Sequence, residues 1–250
     1  MKTHRPLPAA LAALVLLVGT AVASPVDDAA AALKKGDLAA AEALLTPLTA
    51  DPAALNVLSQ VRLAQKKTKE AVEAAEQAVK LEPAKADYQA QLGVALSGRM
   101  NEVGFMQQAM LAGKMRKAFE QAVALDANHL GGLIGLTRYY SNAPEIAGGS
   151  LAKAADYAGR IKALNPALGE TELGRIAERA EKSAEALAHY EAAAALNPAQ
   201  PGLQNACGRL LVKLGRKDEA RARFEAALKL NPAFEPARQA LAELGTPTAP

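Results

Sequence analysis

Small and apolar positions along this chain fall into a register that repeats every 34 residues. The repeat is clearest near the C-terminus, where residues 167–200 and 201–234 superpose. Gly174 falls on Gly208, Ala186 on Ala220, Tyr190 on Phe224, Ala193 on Ala227 and Pro198 on Pro232. Each unit reads as two helices, A and B, joined by a tight turn. Glycine or alanine where the helices cross lets the backbones approach, and Tyr190 or Phe224 fills the hollow between them. Gly215, ahead of Arg216-Lys217-Asp218-Glu219, marks the turn and predicts a left-handed C-cap. Pro198 and Pro232 end helix B, because proline lacks the N–H and disfavours helix in the residue before it.

The register continues upstream with departures. Residues 52–85 fit through Leu55, Leu58, Ala71, Ala75, Ala78 and Pro83. Residues 86–127 begin well with Leu92-Gly93 and Leu96, but Phe119, Ala122 and Leu125 arrive ten residues late. An insertion at 99–110 must therefore lengthen that hairpin. Residues 128–166 fit through Leu133, Leu136, Tyr140, Ala154 and Pro166, with an insertion at 142–149, and the junction after Pro166 is two residues short. Residues 24–51 read as an N-terminal capping hairpin turning at Gly36-Asp37. Residues 235–245 read as a C-terminal capping helix and 246–250 as a disordered tail. Stacked repeats need such atypical ends because a terminal apolar face has no neighbour.

This Leu-Gly, Ala, Phe and Pro pattern at 34 residues resembles the tetratricopeptide repeat family. The resemblance covers nearly all of the chain beyond residue 23 and is strongest in residues 52–85 and 167–234. It implies an all-α, right-handed superhelical solenoid of antiparallel helix pairs. A generic helical bundle is the alternative, and the regular register argues against it.

Composition agrees. Half of the chain is hydrophobic, yet aromatics are only 4% and tryptophan is absent. The apolar content is alanine and leucine, which favour helix and suit close stacking rather than one thick core. The N-terminus carries a different pattern. Lys2 and Arg5 precede an apolar stretch, and Ala21-Val22-Ala23 supplies small residues before Ser24. Residues 1–23 thus read as a signal peptide, placing the mature chain outside the cytoplasm, with the periplasm favoured over secretion. The competing reading is an uncleaved anchor, but the uninterrupted apolar run Ala9–Val18 falls short of the roughly 20 residues a span needs. After removal of Lys2 and Arg5 the chain holds 27 basic and 26 acidic residues. That balance offers no basic tail for nucleic acid or anionic lipid. Cys207 is the single cysteine, cannot form an internal disulfide, and falls where a helix packs inward.

No catalytic constellation emerges, and no cofactor or metal is expected. Ser150-Leu151-Ala152-Lys153 matches S-x-x-K, but the S-D-N and K-T-G elements of penicillin-recognising enzymes are missing. Ser150 reads instead as a helix N-cap. His129 and His189 have no second ligand at metal spacing. The glycine pairs 131–132 and 148–149 are not G-x-G-x-x-G.

The family resemblance implies that first helices line a concave groove, with repeat positions nine and thirteen facing it. Those positions hold Arg138 and Asn142, Arg175 and Arg179, and Arg209 and Lys213. Stacked, they predict a cationic ladder suited to an acidic peptide or terminal carboxylate, because guanidinium binds carboxylate bidentately. The alternative is a solvated face neutralised by Glu172 and Glu178. The insertions are the second expected contact region, with Phe105 and Met106 in one and Tyr139 and Tyr140 beside the other. The expected function is a non-catalytic protein- or peptide-binding scaffold of the bacterial cell envelope, its partner an unidentified envelope protein. A small-molecule-binding accessory of an envelope transport system is the alternative.

Overall fold

The computed structural model describes residues 24–245, and the expected signal peptide (1–23) and tail (246–250) lie outside them. The described residues form thirteen α-helices and no strand. They run α1 (Pro25–Lys35), α2 (Leu38–Leu45), α3 (Pro52–Ala64), α4 (Thr68–Leu81), α5 (Ala86–Arg99), α6 (Phe105–Leu125) and α7 (Leu130–Asn142). Then follow α8 (Leu151–Leu164), α9 (Pro166–Arg179), α10 (Ser183–Leu196), α11 (Pro201–Lys213), α12 (Lys217–Leu230) and α13 (Glu235–Leu244). Consecutive helices pack into hairpins, and hairpins pack onto their neighbours. First helices also touch across the stack: α1 meets α3, α3 meets α5, α5 meets α7, α7 meets α9, and α11 meets α13. No two second helices touch to that extent among the described residues. The layers therefore close up on the first-helix side, which forms the inner face of a solenoid.

The core explains why alanine and glycine dominate the repeat. In the C-terminal hairpin Phe224 is buried on α12 against Gly208 of α11, where a β-carbon would lie 2.5 Å from Phe224 Cε1. Gly174 and Tyr190 repeat the arrangement one hairpin earlier, at 3.0 Å. Phe119 of α6 goes further and is wedged between two glycines, Gly93 of α5 and Gly135 of α7. Each ring occupies the space a side chain on the crossing helix would need, so the sequence pairs a glycine with an aromatic 16 residues later, as in 174/190 and 208/224.

The hairpin turns place one residue at positive φ: Gly36 (80°), Lys66 (62°), Glu181 (59°) and Gly215 (77°). The left-handed cap read at Gly215 is present, and Gly36, read as a turn, adopts the same conformation. Lys66 and Glu181 adopt the same conformation without glycine's freedom.

Two elements depart from the sequence reading in form. Residues 99–110 do lengthen the hairpin, yet mostly as helix: a 3-10 turn at Met100–Glu102 leads into α6, 21 residues long against 14 in α4, α8, α10 and α12. Nothing from Phe105 to Leu125 breaks helix except Gly113. Pro166 does not end helix B as Pro83, Pro198 and Pro232 do. It is the first residue of α9, and Asn165 alone separates α8 from α9. The Asn165 side chain accepts the Leu168 N–H at 3.0 Å and caps the new helix. Gly169 makes the tight corner possible, because a β-carbon there would run into the Lys162 backbone. The two missing residues are thus absorbed by a turn made from one.

Candidate functional site: a groove along the first helices

An open trough of about 790 Å³ runs over α5 and α7. Val94, Ile134 and Phe119 give it an apolar floor that also includes Gly98, Gly131 and Gly135, where Leu63, His129 and Phe119 occupy the space beside the bare backbone. Its wall comes from both irregular segments: Met100 and Asn101 of the 3-10 turn, Ala112 and Met115 of α6, and Ala143, Pro144 and Ala147 after α7. The two insertions therefore face one another across one space. Through Val94 and Gly131 the trough joins a second stretch of about 540 Å³, lined by Asn56 and Gln60 of α3, Gln91 of α5 and His129.

The wall after α7 is fixed by hydrogen bonds. Tyr139 Oη donates to the Ala147 carbonyl at 2.7 Å, and the Ser150 N–H donates to the Tyr140 carbonyl at 2.8 Å. Gly148 (φ 86°) turns the chain back, and the Gly149 N–H donates to the Pro144 carbonyl at 3.0 Å. Ser150 then caps α8 by accepting the Lys153 N–H, the role read from sequence. The tyrosines themselves are 6% and 5% exposed. Tyr140 stacks on Tyr157 at 5.8 Å and meets Tyr139 edge-on at 5.4 Å. Burial raises the Tyr140 phenol, and the nearby Glu120 carboxylate raises it further. Tyr139 lines the trough while Tyr140 packs behind it. Phe105 and Met106 sit elsewhere, 81% and 77% exposed at the free end of α6 and outside the trough lining.

Of the six cationic-ladder residues, Arg138, Asn142, Arg175 and Arg179 come together between α7 and α9, where the trough ends, and Arg209 joins them through Glu178. Arg138 and Asn142 line its end. Arg138 Nη2 lies 2.9 Å from Glu172 Oε1, and Arg175 Nε approaches the same oxygen at 4.0 Å. Arg179 donates to the Ser141 and Asn142 carbonyls at 3.3 and 3.4 Å, tying α9 to α7. Arg209 reaches back from α11 to Glu178 at 3.6 Å, and Glu178 also accepts the Tyr190 hydroxyl at 2.7 Å. Burial and that hydrogen bond push the Tyr190 phenol far up. Lys213, one turn beyond Arg209, has no carboxylate at salt-bridge distance among the described residues. Three of the five cations thus share two carboxylates, Arg179 is held by backbone carbonyls, and Glu172 is itself buried beneath Arg138 and Arg175. The Arg138, Arg175 and Arg209 side chains each stay about half exposed (51%, 55% and 51%).

Both histidines have structural partners that spacing alone did not show. His129 is the N-cap of α7: its Nδ1 accepts the Gly132 N–H at 3.0 Å, so Nε2 carries the proton facing Asp87 Oδ1 at 3.1 Å. His189 Nδ1 lies 2.7 Å from Glu170 Oε2, whose other oxygen pairs with Lys162 at 2.6 Å. Burial works to raise the Glu170 carboxyl, but bonds from Lys162 and His189 outweigh it and hold it below the usual range. Cys207 is buried in the C-terminal core, and that burial pushes its thiol up to about 11. No cluster of three His, Cys, Asp or Glu residues could hold a metal among the described residues, and no helix there is long and apolar enough to cross a membrane.

Comparison with known proteins places the fold. Family models described as tetratricopeptide repeat match residues 52–85 and 178–244. No curated protein matches. Among solved structures, PilW, a widely conserved type IV pilus biogenesis factor, superposes with a TM-score of 0.70 at 18% identity, over 87% of this chain and 96% of its own. A thermophilic tetratricopeptide protein of Thermus thermophilus gives 0.61 at 21% identity, over 78% and 98%. PilF of Pseudomonas aeruginosa gives 0.57 at 20%, over 78% and 88%. At these identities the likeness is one of fold. With two matching stretches, the glycine–aromatic register and the stacked hairpins, this chain belongs to the tetratricopeptide repeat family.

Proposed function

We propose that this chain is a non-catalytic scaffold of the bacterial cell envelope that holds a segment of a partner protein in its inner groove. The observation that carries the reading is the character of that groove. It is an open trough over the first helices α5 and α7, apolar along its floor, with Arg138 at its end and the half-exposed Arg175 and Arg209 on the first helices beyond. Such a surface fits a segment with apolar side chains at one end and carboxylates at the other. The apolar floor supplies burial, and the half-exposed guanidiniums supply paired hydrogen bonds to carboxylate. The buried Glu172 holds Arg138 and Arg175 in position without cancelling the excess of positive charge. A small-molecule site beneath Tyr139 and Tyr140 would need an enclosed pocket, and the space beside Tyr139 belongs to the open trough. The envelope setting rests on the charge, apolar run and Ala21-Val22-Ala23 of the N-terminus.

Site-specific photocrosslinking in the native cell tests the proposal. A crosslinker at Ile134 is expected to trap one partner, and one at exposed Asp218 on α12 is not. Arg175→Glu with Arg209→Glu should lower that yield about tenfold. An unchanged adduct pattern in the double variant, or the same adducts from Asp218, would refute the groove reading.

A further inference from the structure

The groove changes character beyond its apolar floor. Through Val94 and Gly131 it continues into the stretch of about 540 Å³ over α3 and α5, where side-chain amides enter the lining: Asn56 and Gln60 of α3, and Gln91 of α5. Asn56 and Gln60 stand one turn apart on a single helix face. The charged side chains keep to the edge of this stretch, where Asp87 faces His129 at 3.1 Å and Lys85 is exposed.

The chain itself leaves these amides largely unused. Gln91 Nε2 donates to Ser59 Oγ at 2.9 Å, and its Oε1 accepts no hydrogen bond among the described residues. Gln60 makes none there with either end of its amide, and Asn56 Oδ1 is shielded from solvent without a partner. Polar groups withdrawn from water are costly to leave unpaired, so this capacity calls for an explanation.

A carboxamide offers a donor and an acceptor together, the same pair that a peptide unit offers. A helical segment spends its backbone groups on itself, whereas an extended one has them free. An extended segment therefore matches the amides whatever side chains it carries. Sugar hydroxyls also match amides, but Tyr88, the aromatic residue of this lining, is buried and offers no open ring face to a sugar. Continuity with the apolar trough likewise favours a polypeptide.

We infer that the partner segment runs through this stretch in extended form, its main chain held by the Gln60 and Gln91 amides. The inference rests on the groove reading and adds to it a part of the partner that is recognised through its backbone. The apolar floor and the arginines select side chains, and the amides select conformation.

A photocrosslinker at Ala53, which lines the amide stretch, tests the placement in the native cell. It is expected to trap the same partner as Ile134, linked within about ten residues of the Ile134 site, since an extended chain advances about 3.3 Å per residue. A labelled peptide spanning both linked sites is then the probe for fluorescence polarisation with the purified chain. Gln60→Leu should weaken its binding about fivefold. N-methylation of the peptide main chain at the residue linked to Ala53 should do the same, whereas alanine in place of that side chain should change binding less than twofold. Gln60 has no hydrogen bond to lose among the described residues, so thermal unfolding of the variant should match the parent. An Ile134 adduct with none from Ala53, or a peptide indifferent to N-methylation and to Gln60→Leu, overturns the inference and leaves the groove reading standing. A glycan adduct at Ala53 overturns it too. Absence of an adduct at Ile134 overturns both readings.

Discussion

Replacing Gly208 by alanine isolates the contact on which the repeat is built. In an unobstructed helix interior the change stabilises by about 1 kcal/mol, because alanine is the better helix former. At Gly208 the new β-carbon would stand 2.5–2.8 Å from three carbons of the Phe224 ring, where ordinary contact needs about 3.5–4.0 Å. Phe224 is 1% exposed and enclosed by the C-terminal core, so the ring cannot retreat without disturbing its neighbours. Overpacking of this kind costs about 1–3 kcal/mol, and the near 1 Å overlap puts it at the upper end. The net expectation is a loss of about 2 kcal/mol. Gly159 provides the control: it lies inside α8 with nothing within 4 Å, so Gly159→Ala should gain about 1 kcal/mol by the same propensity. Urea titration followed by far-UV circular dichroism measures both. In a Phe224→Leu background the penalty at position 208 should largely vanish, since the two residues are in contact and couple. A Gly208→Ala protein as stable as the parent, or a penalty unchanged by Phe224→Leu, would refute the packing argument.

Three further outcomes rest on single side chains. Asn165→Ala removes the cap of α9 at the one-residue corner and should cost about 1–2 kcal/mol in the same titration. Glu170 is held below its ordinary value, so its contribution is present at neutral pH and lost as pH falls through the depressed folded value. Thermal unfolding should therefore weaken with acidification below about pH 4.5, and less so in Glu170→Gln. With its thiol raised to about 11 and buried, Cys207 should resist a maleimide at pH 8 in the native chain and react fully in urea.

The fold was legible because one interaction repeats. A ring on helix B needs a glycine on helix A, and that pair recurs at fixed spacing in 174/190 and 208/224. The turn at Gly36 and the caps at Gly215 and Ser150 were legible for similar reasons, being local. The ladder positions and the neutralising carboxylates Glu172 and Glu178 could be named from the register, but which arginine each carboxylate serves could not. Glu172 and Glu178 serve residues 34 and 31 positions away, and such pairings depend on how hairpins stack. Pro166 misled because proline both ends helices and begins them. Asn165 before it and Gly169 after it, a cap and a backbone crossing, were the signals that it opens α9. His129 offered no sign of capping beyond its position before a glycine pair. The apolar floor escaped notice because it is assembled from several helices, with Phe119 of α6 reaching it between Gly93 and Gly135.

Phe119 differs from Tyr190 and Phe224 in one respect that bears on how the array comes apart. Those two rings each close on one glycine, from their own hairpin, whereas Phe119 is gripped by Gly93 from its own hairpin and by Gly135 from the next. In a linear array, stability is a sum of unit terms and nearest-neighbour couplings, and units joined by a stronger coupling melt together. The hairpins α5/α6 and α7/α8 should accordingly open as one cooperative block, with their amides exchanging at a common free energy. The α1/α2 hairpin, closed over Ala29, Ala41 and Leu45 with no aromatic in its core, should open before that block. The trough lies over this doubly gripped ring, so an emptied groove should keep its shape between encounters.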